Sequence, residues 1–136
     1  MDSVSASLGE PVFMQIGTSS YRPQHADFEA FCDDARHELL LSNARLVVAH
    51  AGIGTLLKAT RLRKPIICVP RMRRFRESWD DHQVEFCLEL TRSGRVFCCY
   101  DEAEITAQLL ERAFPPRIEG SYTDVAERIT RFLRTE

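Results

Sequence analysis

The run Leu46-Val-Val-Ala-His50-Ala-Gly52-Ile53-Gly54-Thr55-Leu-Leu-Lys58 concentrates more usable chemistry than any other part of the sequence. An apolar, strand-like segment ends at a histidine. Two glycines separated by one residue follow, then a threonine, then a helix-like segment. The first amides of a helix have no partners inside it, and its dipole favours negative charge at that end. Glycines let the backbone come close to a ligand that a Cβ would hold off. Such a turn suits an anion, and the pattern points to a phosphorylated small molecule.

Generic glycine-loop fingerprints do not fit. Gly52-x-Gly54 begins a dinucleotide pattern, but Leu57 stands in the third glycine position and no acidic residue closes a following strand to take a ribose. Lys58 does not follow a glycine in the P-loop frame. On the glycines alone, a structural turn is as good a reading as a ligand site.

The elements that must position this turn are legible as an alternating series. Pro11 to Ile16 reads as a buried strand, closed by Gly17. Residues 1–10 read as a flexible leader, and Tyr21 to Ala26 as a loop. Asp33 to Ser42 suits a helix, with acids at its start. Leu46 to Ala49 is the second strand and Gly54 to Leu62 the second helix, ended by Lys64-Pro65. Ile66 to Val69 is a third strand of the continuous apolar kind expected where both sheet faces are covered. An arginine-dense loop follows (Arg71, Arg73, Arg74, Arg76), then a helix capped by Asp80 or Asp81 and running to Arg92, with Gly94 as C-cap. Arg95 to Tyr100 is a fourth strand, Asp101 to Phe114 a fourth helix, and Ser121 to Leu133 a last helix. This alternation predicts an α/β fold: a Rossmann-like parallel sheet with right-handed crossovers and helices on both faces.

Bulk properties narrow the classes. The 136 residues suffice for one domain with a core, and a net charge of −2 supplies no basic field for nucleic acid. The five cysteines (Cys32, Cys68, Cys87, Cys98, Cys99) include no CxxC pair, and their odd number argues against a disulfide framework or a zinc site. Reduced thiols in a cytoplasmic protein are expected. No run reaches the roughly 20 apolar residues of a membrane span, and the N-terminal residues lack a signal-peptide pattern.

Four blocks in order add specificity: His50-Ala-Gly52-Ile53-Gly54-Thr55, Lys64-Pro65-Ile-Ile-Cys-Val69-Pro70-Arg71, Asp81-His82-Gln83, and Gly94. Over roughly residues 11–100 they resemble the C-terminal domain of family 28 glycosyltransferases. The likeness is greatest to small single-domain subunits, such as the catalytic subunit of the dolichol-linked N-acetylglucosaminyltransferase and bacterial exopolysaccharide glycosyltransferase subunits. The resemblance implies one half of a GT-B fold, with residues 11–136 as a nucleotide-sugar-binding domain for a UDP-sugar donor. It implies that Gly52, Ile53, Gly54 and Thr55 face the diphosphate and ribose, with Thr55 also able to cap its helix. It implies that Gln83 meets sugar hydroxyls with His82 beside it, that His50 belongs to the same site, and that Phe31 and Cys32 bracket the uracil ring. Arg71 is the arginine placed to meet donor phosphate.

The sequence departs from the family in two places. Lys58 stands where many relatives carry a glutamate that accepts from the ribose diol, and lysine has only donors; it is expected to reach a phosphate or face solvent. The strand, loop and helix with which the family usually opens have no counterpart in residues 1–10, so the fold is expected to lack the family's first strand and to expose an edge.

The expected function is donor binding in a UDP-sugar-dependent glycosyltransferase that transfers a sugar to a lipid-linked or polysaccharide acceptor. A membrane-anchored, acceptor-binding partner subunit is expected to hold the chain peripherally at the membrane. A homo-oligomer is the other possible assembly. Catalytic groups are assigned to the partner, since Glu77, Asp80 and Asp81 have no better claim than capping and solvation. Helix amides and cations can stabilise departing UDP without a metal or other cofactor. The alternative function is a non-catalytic binding or scaffold module of the same fold that lost donor binding.

Overall fold

The computed structural model describes residues 1–72, 82–92, 96–112 and 127. Its strands form two parallel sheets. β1 (Phe13–Gln15) pairs with β2 (Asp27–Glu29), Phe13 opposite Asp27. β3 (Val47–Ala49), β4 (Ile66–Cys68) and β5 (Phe97–Cys98) follow in the order β3-β4-β5, with Val47 opposite Ile66 and Cys68 opposite Cys98. The helices are α1 (Asp2–Ser5), α2 (Asp34–Asn43), α3 (Ile53–Arg61), α4 (His82–Arg92) and α5 (Ala107–Glu111).

Strand alternation divides the three-stranded sheet into two apolar faces. Val47, Ile66, Cys68 and Cys98 pack with Leu41 of α2, Leu56 and Ala59 of α3, and Phe86 and Leu90 of α4. On the opposite face Ile67 and Cys99 pack with Leu109 and Leu110 of α5 and with Val4 and Leu8 near the N-terminus. Ile67 and Cys68 are both fully buried although they point opposite ways. That is why this stretch reads as an unbroken apolar run: both faces of β4 are covered. The expected α/β architecture with helices on both faces is therefore present.

Local chemistry sets the helix ends. Asp33 caps α2, its Oδ1 accepting from the Arg36 amide at 2.7 Å. The far end of α3 closes in a Schellman turn: the Lys64 amide donates to the Ala59 carbonyl (2.8 Å) and the Arg63 amide to that of Thr60 (3.0 Å). Arg63 takes the left-handed position of that turn, at φ 53°, where glycine is usual.

The structure differs from the sequence expectations in three places. Within residues 1–10, read as a flexible leader, α1 is seated by the buried Asp2. Its carboxylate accepts from the Tyr21 hydroxyl (2.6 Å) and from the amides of Gln24 and His25 (both 2.9 Å). Between the loop expected at Tyr21 to Ala26 and the helix expected from Asp33, where no element was assigned, the structure has β2, which pairing with β1 imposes on a segment without an apolar run. The expected helix from Asp101 to Phe114 is interrupted. A 3-10 turn spans Glu102–Glu104, Ile105 turns into the core, and α5 starts afresh where Thr106 Oγ1 accepts from the Leu109 amide at 3.2 Å. Arg73, Arg74, Arg76, Glu77, Asp80, Asp81 and Gly94 lie outside the described residues, as does the last expected helix apart from Glu127.

Candidate functional site at the carboxyl ends of β3 and β4

β3 and β4 run side by side, and the residues beyond their carboxyl ends meet. Val69 donates its amide to the Ala49 carbonyl at 2.8 Å, extending the ladder. One residue further on, Nδ1 of His50 lies 2.9 Å from the Val69 carbonyl oxygen. That oxygen can only accept, so Nδ1 carries the proton and Nε2 of the neutral ring is left as an acceptor. The ring itself is exposed.

Beyond β4 the chain passes Pro70 to Arg71. The Arg71 amide donates to Oε1 of Gln83 at 2.9 Å, which ties the start of α4 to the exit of β4. With that oxygen engaged, the carboxamide NH2 is the part of Gln83 left to donate to a ligand. His82 opens α4 beside Gln83. The structure thus links His50, Arg71 and Gln83 through backbone groups of a single strand exit.

The glycine turn belongs to the same rim. Gly52 is the N-cap of α3, at φ −72° and ψ 126°, and no side-chain oxygen among the described residues caps the helix. Thr55, expected to be able to cap, lies inside the first turn. A Cβ added to Gly52 or Gly54 would meet nothing within 4 Å. Neither protein crowding nor a left-handed backbone explains these glycines, and the space above them is open.

Phe31 and Cys32 lie two and three residues past the end of β2, in the two-stranded sheet. Phe31 is 66% exposed. Cys32 lies half-buried with Sγ 3.4 Å from Oε2 of Glu29; desolvation, then that contact, raises its thiol pKa. Glu29 also holds the Arg36 guanidinium at 2.8 Å, and Arg36 lies over the Phe13 ring, 5.6 Å from its centroid.

Lys58 behaves differently from both expectations. It neither reaches toward the α3 N-terminus nor stands free in solvent; its Nζ pairs with Oδ1 of Asp34 on α2 at 2.8 Å. The Lys58 hydrogen bond and charge lower the Asp34 carboxyl pKa. Arg61 pairs with Glu38 one turn along, and a groove of about 250 Å³ runs between the two ion pairs over Ala35 and Leu57. The partner of Lys58 lies 24 residues earlier, on a helix whose packing against α3 no local pattern announces. The Val69 carbonyl and Arg71 amide were equally hidden, because backbone groups carry no residue signature. No group of three His, Cys, Asp or Glu side chains suited to a metal, and no helix long and apolar enough to cross a membrane, occurs among the described residues.

The fold and the sequence have counterparts among known proteins. A solved structure described as the glycotransferase of kitacinnamycin superposes with a TM-score of 0.62 at 18% identity, covering 96% of this chain and 37% of that one, which establishes the shared fold. A curated relative from Opitutus terrae, a UDP-N-acetylglucosamine–N-acetylmuramyl-(pentapeptide) pyrophosphoryl-undecaprenol N-acetylglucosamine transferase, is 36% identical over 75 residues. The aligned stretch is 55% of this chain and 18% of the relative, so the chain spans under a fifth of that protein's length. The family model described as the glycosyltransferase family 28 C-terminal domain matches residues 5–117. The chain belongs to glycosyltransferase family 28, by way of that C-terminal domain.

Proposed function

We propose that this chain binds the UDP-sugar donor of a glycosyltransferase, the acceptor being lipid-linked or a growing polysaccharide. The observation that carries this reading is the uncapped α3 N-terminus with open space over Gly52 and Gly54, beside a strand exit that gathers His50, Arg71 and Gln83. The amides of Ile53, Gly54 and Thr55 hold the diphosphate, with the Arg71 guanidinium as counter-charge. The NH2 of Gln83 donates to a sugar hydroxyl, with His82 alongside, and Nε2 of His50 accepts from a donor hydroxyl. Phe31 stacks on the uracil, with Cys32 at its edge. Fixed dipoles aimed at the departing diphosphate stabilise its developing charge without reorganising.

The likeness to an undecaprenol-linked transferase supports a lipid-linked acceptor. A separate, membrane-anchored subunit supplies the acceptor site and the catalytic base in this reading, and brings the chain to the cytoplasmic face of the membrane. Calorimetric titration with UDP, UDP-N-acetylglucosamine and UDP-glucuronic acid tests donor binding. Saturable binding that Thr55→Val and Gln83→Ala both weaken is the expected result. A folded chain that binds none of the three belongs instead to the second reading, a scaffold module, which a donor-only lysine at position 58 favours.

A further inference from the structure

Two ion pairs tie α2 to α3, Asp34 to Lys58 and Glu38 to Arg61. They join residues in the same order along both helices, so α2 and α3 run side by side in one direction. α2 begins at Asp34 itself, whereas α3 begins at Ile53. The first turn of α3 therefore stands beyond the Lys58–Asp34 pair, on the side of the Gly52 cap.

The way from Lys58 to that turn is clear. Gly54 lies four residues before Lys58, on the same face of α3 and about 6 Å along its axis. Side chains on a helix lean toward its N-terminus. Position 54 has no side chain in the path, and a Cβ built there meets nothing within 4 Å. The flexible four-carbon stem of a lysine covers such a span.

The present partner holds Lys58 weakly. The Asp34 side chain is 98% exposed, and pairs so open to solvent are screened and contribute little. As the first residue of α2, Asp34 also has the helix dipole to stabilise its charge once the lysine leaves. A diphosphate at the α3 amides offers several charged oxygens in place of the one that Asp34 supplies.

We propose that Lys58 is an exchangeable phosphate ligand. Without the donor it is held on Asp34; with the donor bound it swings past Gly54 onto the diphosphate, so that Asp34 acts as an internal competitor that sets the affinity. The exchange rests on the donor-site reading and adds a regulating pair to it. Lys58 then joins Arg71 as a second counter-charge. Asp34 touches no ligand and works only through the lysine. Arg61, a turn further from the Gly52 end, keeps its pair with Glu38 throughout.

Calorimetry on the whole chain tests the exchange, with inorganic pyrophosphate and UDP as ligands and uridine, which lacks the diphosphate, as control. Lys58→Met should weaken pyrophosphate and UDP binding by about tenfold and leave uridine unaffected. Lys58→Arg should keep most of the affinity. Asp34→Asn should strengthen both phosphate ligands severalfold, and should have no effect when combined with Lys58→Met, because it acts by releasing the lysine. Strengthening that persists in the double variant is general charge repulsion and overturns the exchange. Asp34→Asn that weakens UDP makes Asp34 a ligand contact and overturns it as well. UDP binding indifferent to Lys58→Met overturns the exchange and leaves the donor site standing. A folded chain that binds neither pyrophosphate nor UDP removes both readings.

Discussion

His50 and Val69 are locked together at the exits of neighbouring strands, imidazole Nδ1 to carbonyl oxygen at 2.9 Å. The bond fixes the neutral tautomer, and long-range proton–nitrogen NMR should find Nδ1 protonated and Nε2 bare when the ring is uncharged. His50→Phe keeps a flat ring but loses both nitrogens. It should leave the fold within about 1 kcal/mol of the parent, as for one exposed hydrogen bond, while weakening UDP-sugar binding. A ring found as the Nε2–H tautomer sinks the assignment.

Gln83 and Gly54 separate site from scaffold. Gln83→Glu keeps an acceptor for the Arg71 amide but exchanges a donating NH2 for negative charge. Donor affinity should fall about tenfold or more, with little change in melting temperature. Gly54→Ala adds a methyl to open space inside a helix and should stabilise the fold by about 0.5–1 kcal/mol. The same methyl should obstruct a diphosphate. A variant that melts higher and binds UDP as well as the parent would show that no ligand approaches there.

Asp2 makes stability depend on acid. The Tyr21 hydroxyl first, then the Gln24 and His25 amides, hold its carboxyl down to about 2, against an ordinary 3.8. Because the folded value is the lower one, the contribution is present above the ordinary value and fades as pH falls from there through about 2. Thermal melts should show Asp2→Asn below the parent at neutral pH, with the two converging at the acid end. A constant offset across that window would assign the effect to packing instead.

The Lys58–Asp34 pair joins α2 to α3 with little energy. Asp34 is 98% exposed, so a double-mutant cycle with Lys58→Met and Asp34→Asn should give a small coupling that shrinks in high salt. A larger, salt-resistant coupling would make this pair a structural clamp.

Thiol chemistry should single out one cysteine. Cys32 is half-buried and the other four are buried, so a disulfide reagent should find one reactive thiol in the native chain and five after denaturation. Desolvation and Glu29 raise the Cys32 pKa, and its rate should still be climbing where an ordinary thiol has levelled off. Native labelling at Cys68 or Cys99 would contradict the packing of β4 and β5.

Where an element makes its own signal, the residues revealed it. β4 is an apolar run bounded by prolines, and α3 is framed by Gly52 and by Lys64-Pro65, so both appear within a residue or two of expectation. β2 is invisible because Asp27-Phe28-Glu29 is polar on either side of one phenylalanine, and only the ladder with β1 makes it a strand. α1 is a serine-rich turn held by four bonds to residues 21–25, which no local pattern encodes. At the site, residue types marked His50, Gly52 and Gln83, but not the backbone atoms that bind His50 and Gln83 to the exit of β4.

The turn at Arg63 bears on the opposite end of its helix. With Lys64 and Arg63 bonded back to Ala59 and Thr60, α3 is pinned where it hands over to β4. A charge gripped at residue 53 would pull against a rod anchored at its base, so its attraction is not dissipated in sliding the rod. An arginine held at φ 53° also leaves slack to recover: Arg63→Gly should tighten that anchor by about 1 kcal/mol without touching the pocket end.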